Sequence, residues 1–334
     1  MRRFFLSIVL AALALIGSAS AAASTPTLVA VTFVATPGAL SDVDLDLTVS
    51  APDNAPPAKI VIYVPTGYGL NTSTPAGSKV GTIDATAVLG GSSLTIPTGD
   101  IVADNPANYV SQPAAQACAP GTHAAVWVAH AASFAIPIYV DPTPAAESPL
   151  GAYKLQVCLT APEATTPPAR LTEAELSFSR TVLTNPSAVG IYLWRAMVTP
   201  YVTGTSTPNP AGTYELRSDV FIPATLTLKK AGYNKKKKQA TLTGKFLLLG
   251  KPLRGVTVGI FSVSSTGVKL VARTKTNKKG VYKVRLKVTK TTFFNAFVPD
   301  EQGSCSANPP TAAPGGCASE TTTPFFSTLL RVKV

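Results

Sequence analysis

Proline and glycine recur so often in this chain that they leave little room for helices. The sequence has 29 Pro and 24 Gly in 334 residues, and both residue types interrupt helices. No long stretch has apolar residues spaced by three and four, the spacing of a buried helix face. Val and Thr, which suit a pleated and half-buried surface, fill much of the remainder. The pattern predicts an all-β protein made of sandwiches or barrels.

The first two dozen residues have the order of an export signal. Two arginines precede an apolar run over 4–16, and small residues with Ala-x-Ala cleavage sites follow it. The run is short for a bilayer span. We expect a signal peptide over 1–23, with an uncleaved anchor or a buried helix as the alternative. No second apolar stretch approaches membrane length, so the mature protein is expected to be secreted or to lie in the cell envelope, without a transmembrane segment.

Four cysteines are consistent with an exported protein. An oxidising compartment favours disulfides, and pairing of neighbours keeps each bridge within one domain. Of the three connectivities that four cysteines allow, we predict Cys118–Cys158 and Cys305–Cys317. The longer loop would contribute roughly 4 kcal/mol and the shorter roughly 3 kcal/mol in the chain-entropy treatment. A zinc site is the alternative, but it needs clustered ligands such as C-x-x-C, which this sequence lacks.

Charge divides the chain into two parts. Between 24 and 223, seven basic residues stand against fourteen acidic ones, a net charge of −7. Between 224 and 334, twenty basic residues stand against three acidic ones, a net charge of +17. Such an asymmetry indicates separate domains. We predict an acidic β-sandwich over 24–223 and a basic, Ig-like or transthyretin-like β-sandwich over 224–334.

Short runs of β-forming residues, separated by Pro- and Gly-rich turns, predict many strands in both domains. In the first domain the predicted strands are 28–35, 45–50, 59–64, 80–86, 124–128, 134–140, 152–159, 173–179, 191–202 and 214–222. In the second they are 224–229, 239–248, 256–263, 268–276, 281–288, 292–298 and 326–334. Seven strands in about a hundred residues match the size of an Ig-like sandwich.

Two short motifs in the second domain carry a family resemblance. Residues 250–258 read Gly-Lys-Pro-Leu-Arg-Gly-Val-Thr-Val, and residues 276–282 read Thr-Asn-Lys-Lys-Gly-Val-Tyr. They resemble the G-x-P-x-x-G-x-x-V stretch and the T-[DN]-x-x-G-x-[YF] hairpin of carboxypeptidase-regulatory-like and bacterial Ig-like domains. The resemblance covers about 226–298 and implies a fold rather than a chemistry. Such domains usually act as spacers, adhesive modules or accessory binding modules on secreted proteins. We assign no family to the first domain.

The second motif predicts a hairpin with a specific register. Asn277 would open a type I turn and lie opposite Val281, and Gly280 would take the left-handed conformation. The predicted cross-strand pairs are Thr274–Val284 and Ala272–Leu286 on the core face, and Lys275–Lys283 and Arg273–Arg285 on the outer face. Opposed like charges are mildly destabilising, so this register requires something that offsets them.

A dense group of cations in the second domain is the main binding signal. The candidate polyanion-binding residues are Lys235, Lys236, Lys237, Lys238, Arg273, Lys275, Lys283, Arg285 and Lys287. A basic surface of this kind suits an anionic cell-surface polymer or glycan, or an anionic membrane surface. A solvated surface that only promotes solubility, and docking onto the acidic first domain, are the alternatives. Nucleic acid is less favoured, because export removes the usual target and no aromatic residues alternate with the cations.

Three alternating aspartates resemble the start of a calcium-binding loop. Asp42, Asp44 and Asp46 follow a D-x-D-x-D spacing, but the Gly and the bidentate Glu of such a loop are missing. We interpret them as the acidic outer face of a strand. The sequence therefore predicts no metal and no cofactor.

Two histidines and two tryptophans are the remaining candidates. His123 and His130 lie an odd number of residues apart, so on one strand they would point to opposite faces. One of them could serve a Ser nucleophile, but the sequence has no G-x-S-x-G elbow. Trp127 and Trp194 are interpreted as buried core residues rather than sugar-stacking platforms.

These observations favour a secreted, non-enzymatic binding or structural protein of the cell envelope or extracellular space. The alternative is an extracellular hydrolase whose site is dispersed over the first domain. A cleft with clustered carboxylates or a Ser–His pair would indicate the hydrolase.

Overall fold

The computed structural model of the protein describes residues 25–49, 55–132, 134–165, 168–264, 267–307 and 310–334. The predicted signal peptide lies outside these residues. Within them the protein is almost entirely β, as predicted, and it divides into two compact units. The acidic unit comprises the described residues up to Ile222 together with Glu301–Thr323. The basic unit comprises Pro223–Asp300 together with Pro324–Val334.

The strands are numbered in chain order. Up to Ile222 they are β1 (Thr27–Thr32), β2 (Val43–Thr48), β3 (Pro57–Val64), β4 (Gly69–Leu70), β5 (Lys79–Leu89), β6 (Ser92–Asp104), β7 (Ala125–Ala131), β8 (Phe134–Pro142), β9 (Tyr153–Cys158), β10 (Ala169–Phe178), β11 (Leu183–Thr184), β12 (Gly190–Pro200) and β13 (Tyr214–Ile222). The remainder are β14 (Ala224–Leu226), β15 (Lys229–Asn234), β16 (Gln239–Leu248), β17 (Lys251–Pro252), β18 (Thr257–Ser264), β19 (Gly267–Lys275), β20 (Val281–Lys287), β21 (Thr292–Val298), β22 (Gln302–Gly303), β23 (Cys317–Thr322), β24 (Phe325–Phe326) and β25 (Leu330–Val332).

Helical structure is limited to short pieces. An α-helix, α1, spans Pro113–Cys118, and 3₁₀ turns occur at Pro106–Tyr109, Ala145–Glu147, Pro162–Ala164 and Pro210–Gly212. In the described part of the chain, no helix is long and apolar enough to cross a membrane.

Most predicted strands are present, but β6, β15, β23 and four strands of two residues each (β4, β11, β17 and β22) were not predicted. β6 contains Pro97 and Gly99, which weaken the sequence signal of a strand. The structure accommodates this region with two register shifts between β5 and β6, one of them between Ile83 and Ala85. Bulges of this kind let a strand tolerate residues that interrupt regular pairing.

The acidic unit is built on one continuous sheet that closes into a sandwich. Its strand order is β1-β2-β10-β5-β6-β7-β8-β9-β3-β12-β13-β23-β22. The sheet curls until β1 meets the opposite end. There the Ala30 amide donates to the Ser218 hydroxyl of β13 at 2.9 Å, and the Ser319 hydroxyl of β23 donates to the Pro26 carbonyl at 2.6 Å. The inner faces enclose one large hydrophobic core.

The last part of this sheet comes from residues 301–323, called the return segment. Its strand β23 runs parallel to β13, with Cys317 opposite Glu215 and Thr322 opposite Asp219. The chain therefore re-enters the acidic unit after building most of the basic unit. The prediction that 224–334 forms one domain must be corrected over this segment. The physical reason is that the return segment completes a buried ionic cluster, described below.

Both predicted disulfides are present, and both lie in the acidic unit. Cys118–Cys158 ties the end of α1 to β9, where α1 forms a small apolar cluster with the outer face of β7 and β8. Cys305–Cys317 closes the return segment, whose Ala313 packs on the outer face of β3 and β12. The expected place of this second bridge in the basic domain is therefore corrected as well. Each disulfide holds a covering segment against the sheet.

The basic unit is a sandwich of two antiparallel sheets. In one sheet β16 is central, and β15 and β20 pair with the same residues of β16 from opposite sides. In the other sheet the order is β19-β18-β21, followed by β24 and β25. Leu242 and Phe246 of the first sheet and Val258 and Ile260 of the second belong to one buried core. This confirms the predicted sandwich class.

The predicted hairpin forms its turn, but its two strands do not pair. Gly280 has φ +70°, and the Asn277 amide donates to the Val281 carbonyl at 2.9 Å, as expected. Beyond the turn, β19 pairs with β18 and β20 pairs with β16. The Thr276 amide donates to the Val256 carbonyl and the Thr276 carbonyl accepts from Gly255, whereas the Gly280 carbonyl accepts from Phe246. The turn therefore carries the chain from one sheet to the other, and the predicted β19–β20 register is wrong.

Candidate polyanion-binding face

β20 presents three cations on the outer side of its sheet. Lys283, Arg285 and Lys287 are exposed and alternate with inward-facing residues such as Tyr282 and Leu286, which are buried. Side chains of a strand alternate between its two faces, so the three cations form a straight row, called the cation row. Neighbouring members are two residues apart, roughly 7 Å along the strand.

Uncharged polar residues of β16 stand beside the cation row. Gln239, Thr241 and Thr243 lie opposite Lys287, Arg285 and Lys283, respectively. The Thr243 hydroxyl donates to the Tyr282 carbonyl at 2.8 Å. Because β20 pairs with β16 and not with β19, the directly opposed like charges of the predicted hairpin do not occur.

Lysine-rich turns extend the cation row at both ends. The turn after β15 contains Lys235–Lys238, all exposed, and the Lys238 carbonyl accepts from the Val288 amide just beyond β20. At the other end, Lys245 is exposed on β16 opposite Val281, next to the turn that carries Lys278 and Lys279. We call this outer surface of β15, β16 and β20, with its two turns, the basic face. Seven of the nine predicted polyanion-binding residues lie on it.

Arg273 and Lys275 are the two predicted residues that the structure separates from the others. They lie on β19 in the second sheet, opposite Gly259 and Thr257. Their place in the predicted set depended on the β19–β20 pairing, which does not form. Lys245 was missed, although the alternation of 239–248 places it on the same face as Thr241 and Thr243.

The charge of the basic unit is almost entirely of one sign. Moving the return segment to the acidic unit removes Glu301 and Glu320, so twenty Lys and Arg side chains remain with one carboxyl side chain, Asp300. Burial raises the pKa of Asp300. Among the described residues, no ion pair joins a Lys or Arg of this unit to a carboxylate. The positive charge is therefore left for solvent ions or an external partner to neutralise.

The cations also occupy the edges of the two sheets. The cation row lies on the edge strand β20, Lys229 and Lys230 lie on the edge strand β15, and Arg273 and Lys275 lie on the edge strand β19. By contrast, the central strands β18 and β21 contain no Lys or Arg. Charged edges discourage pairing with other strands. This arrangement supports the alternative to polyanion binding, in which the cations form a solvated surface that protects the sheet edges.

A row of carboxylates crosses three neighbouring strands of the acidic unit. Glu175 of β10 lies between Asp46 of β2 and Asp84 of β5 in the sheet register. Asp44 lies two residues before Asp46 on β2. Burial, and then the charges of the three aspartates, raise the pKa of Glu175 to about 8. Asp44 and Asp46 thus lie on the outer face of a strand, as interpreted, although Asp44 is buried there. Glu175 and Asp84 join them only through the sheet register, which no local sequence pattern shows. Within the described residues, no group of His, Cys, Asp and Glu is arranged to hold a metal ion.

His123 forms a hydrogen-bonded pair with Asp141, and His130 lies elsewhere. The distance from His123 Nδ1 to Asp141 Oδ2 is 2.8 Å, and the imidazole packs on the Tyr139 ring. Such a pair can orient a general base. However, the His123 Nε2 atom is buried and has no hydrogen-bond partner in the described residues, whereas His130 is exposed. No hydroxyl nucleophile is therefore held by this pair within the described residues.

The two tryptophans are core residues, as interpreted from the sequence. Trp127 is fully buried and packs against Phe178 with ring centroids 5.4 Å apart. Trp194 is 1% exposed and packs against Tyr68 at 5.2 Å. Neither ring is available as a platform for a sugar.

A buried ionic cluster on the outer face of β12 and β13 was not predicted. Glu215 is fully buried and accepts hydrogen bonds from Arg195, Arg217 and Thr311. Burial opposes its ionisation, but these hydrogen bonds and the charges of the two arginines hold the pKa of Glu215 below its usual value. Glu320 of the return segment lies 3.5 Å from Arg217. The charged residues alternating along 215–219 were the available sequence signal.

Comparisons with known proteins identify no family. No protein-family model matches the sequence, and no curated protein matches it. The "D0-D1 domain of Intimin" is a similar solved structure, with 12% identity, a TM-score of 0.21 and coverage of 92% of this chain and 97% of that chain. A tetra-tandem repeat in the extending region of a large adhesion protein has 11% identity, a TM-score of 0.20 and coverage of 90% and 74%. Likenesses this low support no argument about fold or function.

Proposed function

We propose that this chain is an exported, non-enzymatic binding protein whose basic face holds an anionic polymer of the cell envelope or extracellular space. The observation that carries the proposal is the charge of the basic unit: twenty cationic side chains, one half-buried carboxyl side chain, and no ion pair within the described residues. The two disulfides of the acidic unit support an oxidising compartment.

Physical chemistry favours a polymer over a small anion. Each cation that neutralises an anionic group releases bound counterions, and this gain accumulates along a chain of charges. The cation row and the two lysine turns provide adjacent contacts over the length of β20. The basic face carries exposed cations and uncharged polar groups and, within the described residues, no carboxylate side chain, so its chemistry suits holding a polymer rather than cleaving one.

The proposal is tested by titrating the mature full-length chain with heparin and with inorganic polyphosphate over a range of salt concentrations. We expect binding that weakens steeply with salt, because exposed charges are screened beyond about 10 Å at 0.1 M ionic strength. Changing Lys283, Arg285 and Lys287 to Gln should lower the slope of log affinity against log salt by roughly 2–3.

A matched control distinguishes the effect of where the cations lie from the effect of the total charge. Changing Lys269, Arg273 and Lys275 of β19 to Gln removes the same charge from the other sheet. We expect this control to bind more tightly than the cation-row variant. Equal losses in the two variants, or no binding of the native chain at low salt, would leave the cations as a solubilising and edge-protecting coat.

A further inference from the structure

The geometry of the basic face points to the chemical class of the polymer. We infer that the cation row binds an extended phosphodiester polymer of a simple polyol, with one charge per repeat. This inference rests on the proposed function and adds the partner's chemistry to it. Three features of the surface carry the argument: the spacing of the cations, the groups beside them, and the absence of rings.

The first feature is the spacing of the cations. Lys283, Arg285 and Lys287 follow one another along a regular strand, roughly 7 Å apart. A polymer with charges separated by several bonds can place successive anions over successive cations. Inorganic polyphosphate carries its charges on adjacent phosphorus atoms, so most of its anions would fall between the cations.

The second feature is the set of polar groups beside the row. The Arg285 guanidinium is a planar donor that matches two phosphate oxygens at once, and the flanking lysines act as point charges. Thr241 and Gln239 lie opposite Arg285 and Lys287, and within the described residues their side chains have no intramolecular hydrogen-bond partner. A hydroxyl and an amide are therefore available for the linking oxygens and free hydroxyls of a polyol.

The third feature is the lack of aromatic rings on this surface. Tyr233, Phe246 and Tyr282 face the core of the sandwich, and the outward positions of β14, β15, β16 and β20 hold no Phe, Tyr or Trp. Proteins bind single-stranded nucleic acid by stacking its bases on aromatic side chains, and Tyr and Trp offer flat faces to rings in general. A surface with cations and hydroxyls but no ring platform suits a polymer that has no rings.

The experiment compares three probes on the mature full-length chain at equal total charge: poly(glycerol phosphate), inorganic polyphosphate and polygalacturonate. We expect poly(glycerol phosphate) to bind about tenfold more tightly than the other two. The double variant Arg285→Gln/Thr328→Lys keeps the net charge but moves one cation from the row to an exposed position outside it. It should lose most of that preference, because its affinity for poly(glycerol phosphate) should fall further than its affinity for inorganic polyphosphate.

The outcomes separate this inference from the proposed function. If all three probes bind in proportion to their charge, and the double variant matches the native chain, the face is a general polyanion surface and the phosphodiester inference is overturned. A preference for polygalacturonate would overturn it in favour of a sugar polymer. If no probe binds at low salt, the proposed function itself fails.

Discussion

The Arg217 guanidinium donates two parallel hydrogen bonds to the carboxylate of Glu215, two residues earlier on the same strand. The Nε–Oε1 distance is 3.0 Å and the Nη2–Oε2 distance is 3.1 Å. Both side chains are fully buried, and the remaining Nη1 of Arg217 donates to the Ser306 carbonyl of the return segment at 2.9 Å. The ionic cluster is therefore enclosed by a segment that arrives about ninety residues later in the sequence.

Removing the carboxylate of this cluster should destabilise the acidic unit strongly. In Glu215→Gln, Arg195 and Arg217 would remain buried without their shared counter-charge, and breaking one partner of a buried pair costs about 3–5 kcal/mol. We expect thermal unfolding to shift down by roughly 2–4 °C per kcal/mol. The control is Lys79→Gln, which breaks the exposed Lys79–Asp100 pair and should cost less than about 1 kcal/mol. Equal melting temperatures for the two variants would contradict the structural role of the cluster.

The pH dependence of stability should contain a contribution from Glu175. Its folded pKa of about 8 lies above the ordinary value of 4.5, so the folded state keeps a proton that the unfolded chain loses. The stabilising contribution is complete below about pH 4.5 and is lost as pH rises through about 8. Glu175→Gln should therefore melt several degrees higher than the native chain above pH 8, with little difference at pH 4.

The control for this prediction is Glu173→Gln on the same strand, since Glu173 is exposed. It removes the same charge and should leave the pH profile of melting unchanged. A profile for Glu175→Gln that runs parallel to the native one would show that Glu175 is already ionised in the folded protein at neutral pH.

Because the acidic unit is formed by two separate stretches of the chain, fragments with and without the return segment should differ in stability. A fragment of 24–222 lacks β23 and part of the ionic cluster, so we expect it to aggregate or to melt non-cooperatively. Joining 301–323 to the same fragment through a short Gly/Ser linker should restore cooperative unfolding, because the Glu301 carbonyl accepts from Thr322 beside the end of β13. Calorimetry of the two proteins tests this. A fully cooperative 24–222 fragment would show that the return segment is dispensable.

A glycine of the basic unit should tolerate no side chain. A Cβ on Gly244 of β16 would overlap the Thr227 carbonyl oxygen and the Tyr282 hydroxyl, so Gly244→Ala should cost about 2–3 kcal/mol. The control is Gly232→Ala on β15 of the same sheet, where a Cβ meets no heavy atom within 4 Å. Chemical denaturation of both variants provides the measurement. An undisturbed Gly244→Ala variant would contradict the close approach of these strands.

The fold class and most strands could be predicted because they depend on local signals. Alternation along 281–288 identified the inward and outward residues of β20 correctly, and the turn at Asn277 and Gly280 formed as expected. The partner of β20 could not be predicted in this way. Adjacency in sequence favours a hairpin, whereas the hydrogen bonds of Thr276 to Val256 keep β19 in the other sheet. Local sequence patterns do not show which distant strand a given strand pairs with.

The candidate site shows the same limit. The charge of Lys283, Arg285 and Lys287 was visible in the sequence, and so was the outward direction of these side chains. Their neighbours were not, because Gln239, Thr241 and Thr243 meet them only through the β16–β20 pairing. In the acidic unit, likewise, Glu175 meets Asp84 across a sequence distance of about ninety residues, which only the sheet register reveals.

The position of the return segment sets the order in which an exported chain can finish folding. A chain that leaves a translocation pore N-terminus first would release β1 to β13 early, with β13 as an unpaired sheet edge. β23, which covers that edge, follows only after β14 to β21 have emerged. With export as proposed, the unit that begins to fold first would be completed near the end of translocation, and during that interval its open edge would be exposed to other chains and to folding factors outside the membrane.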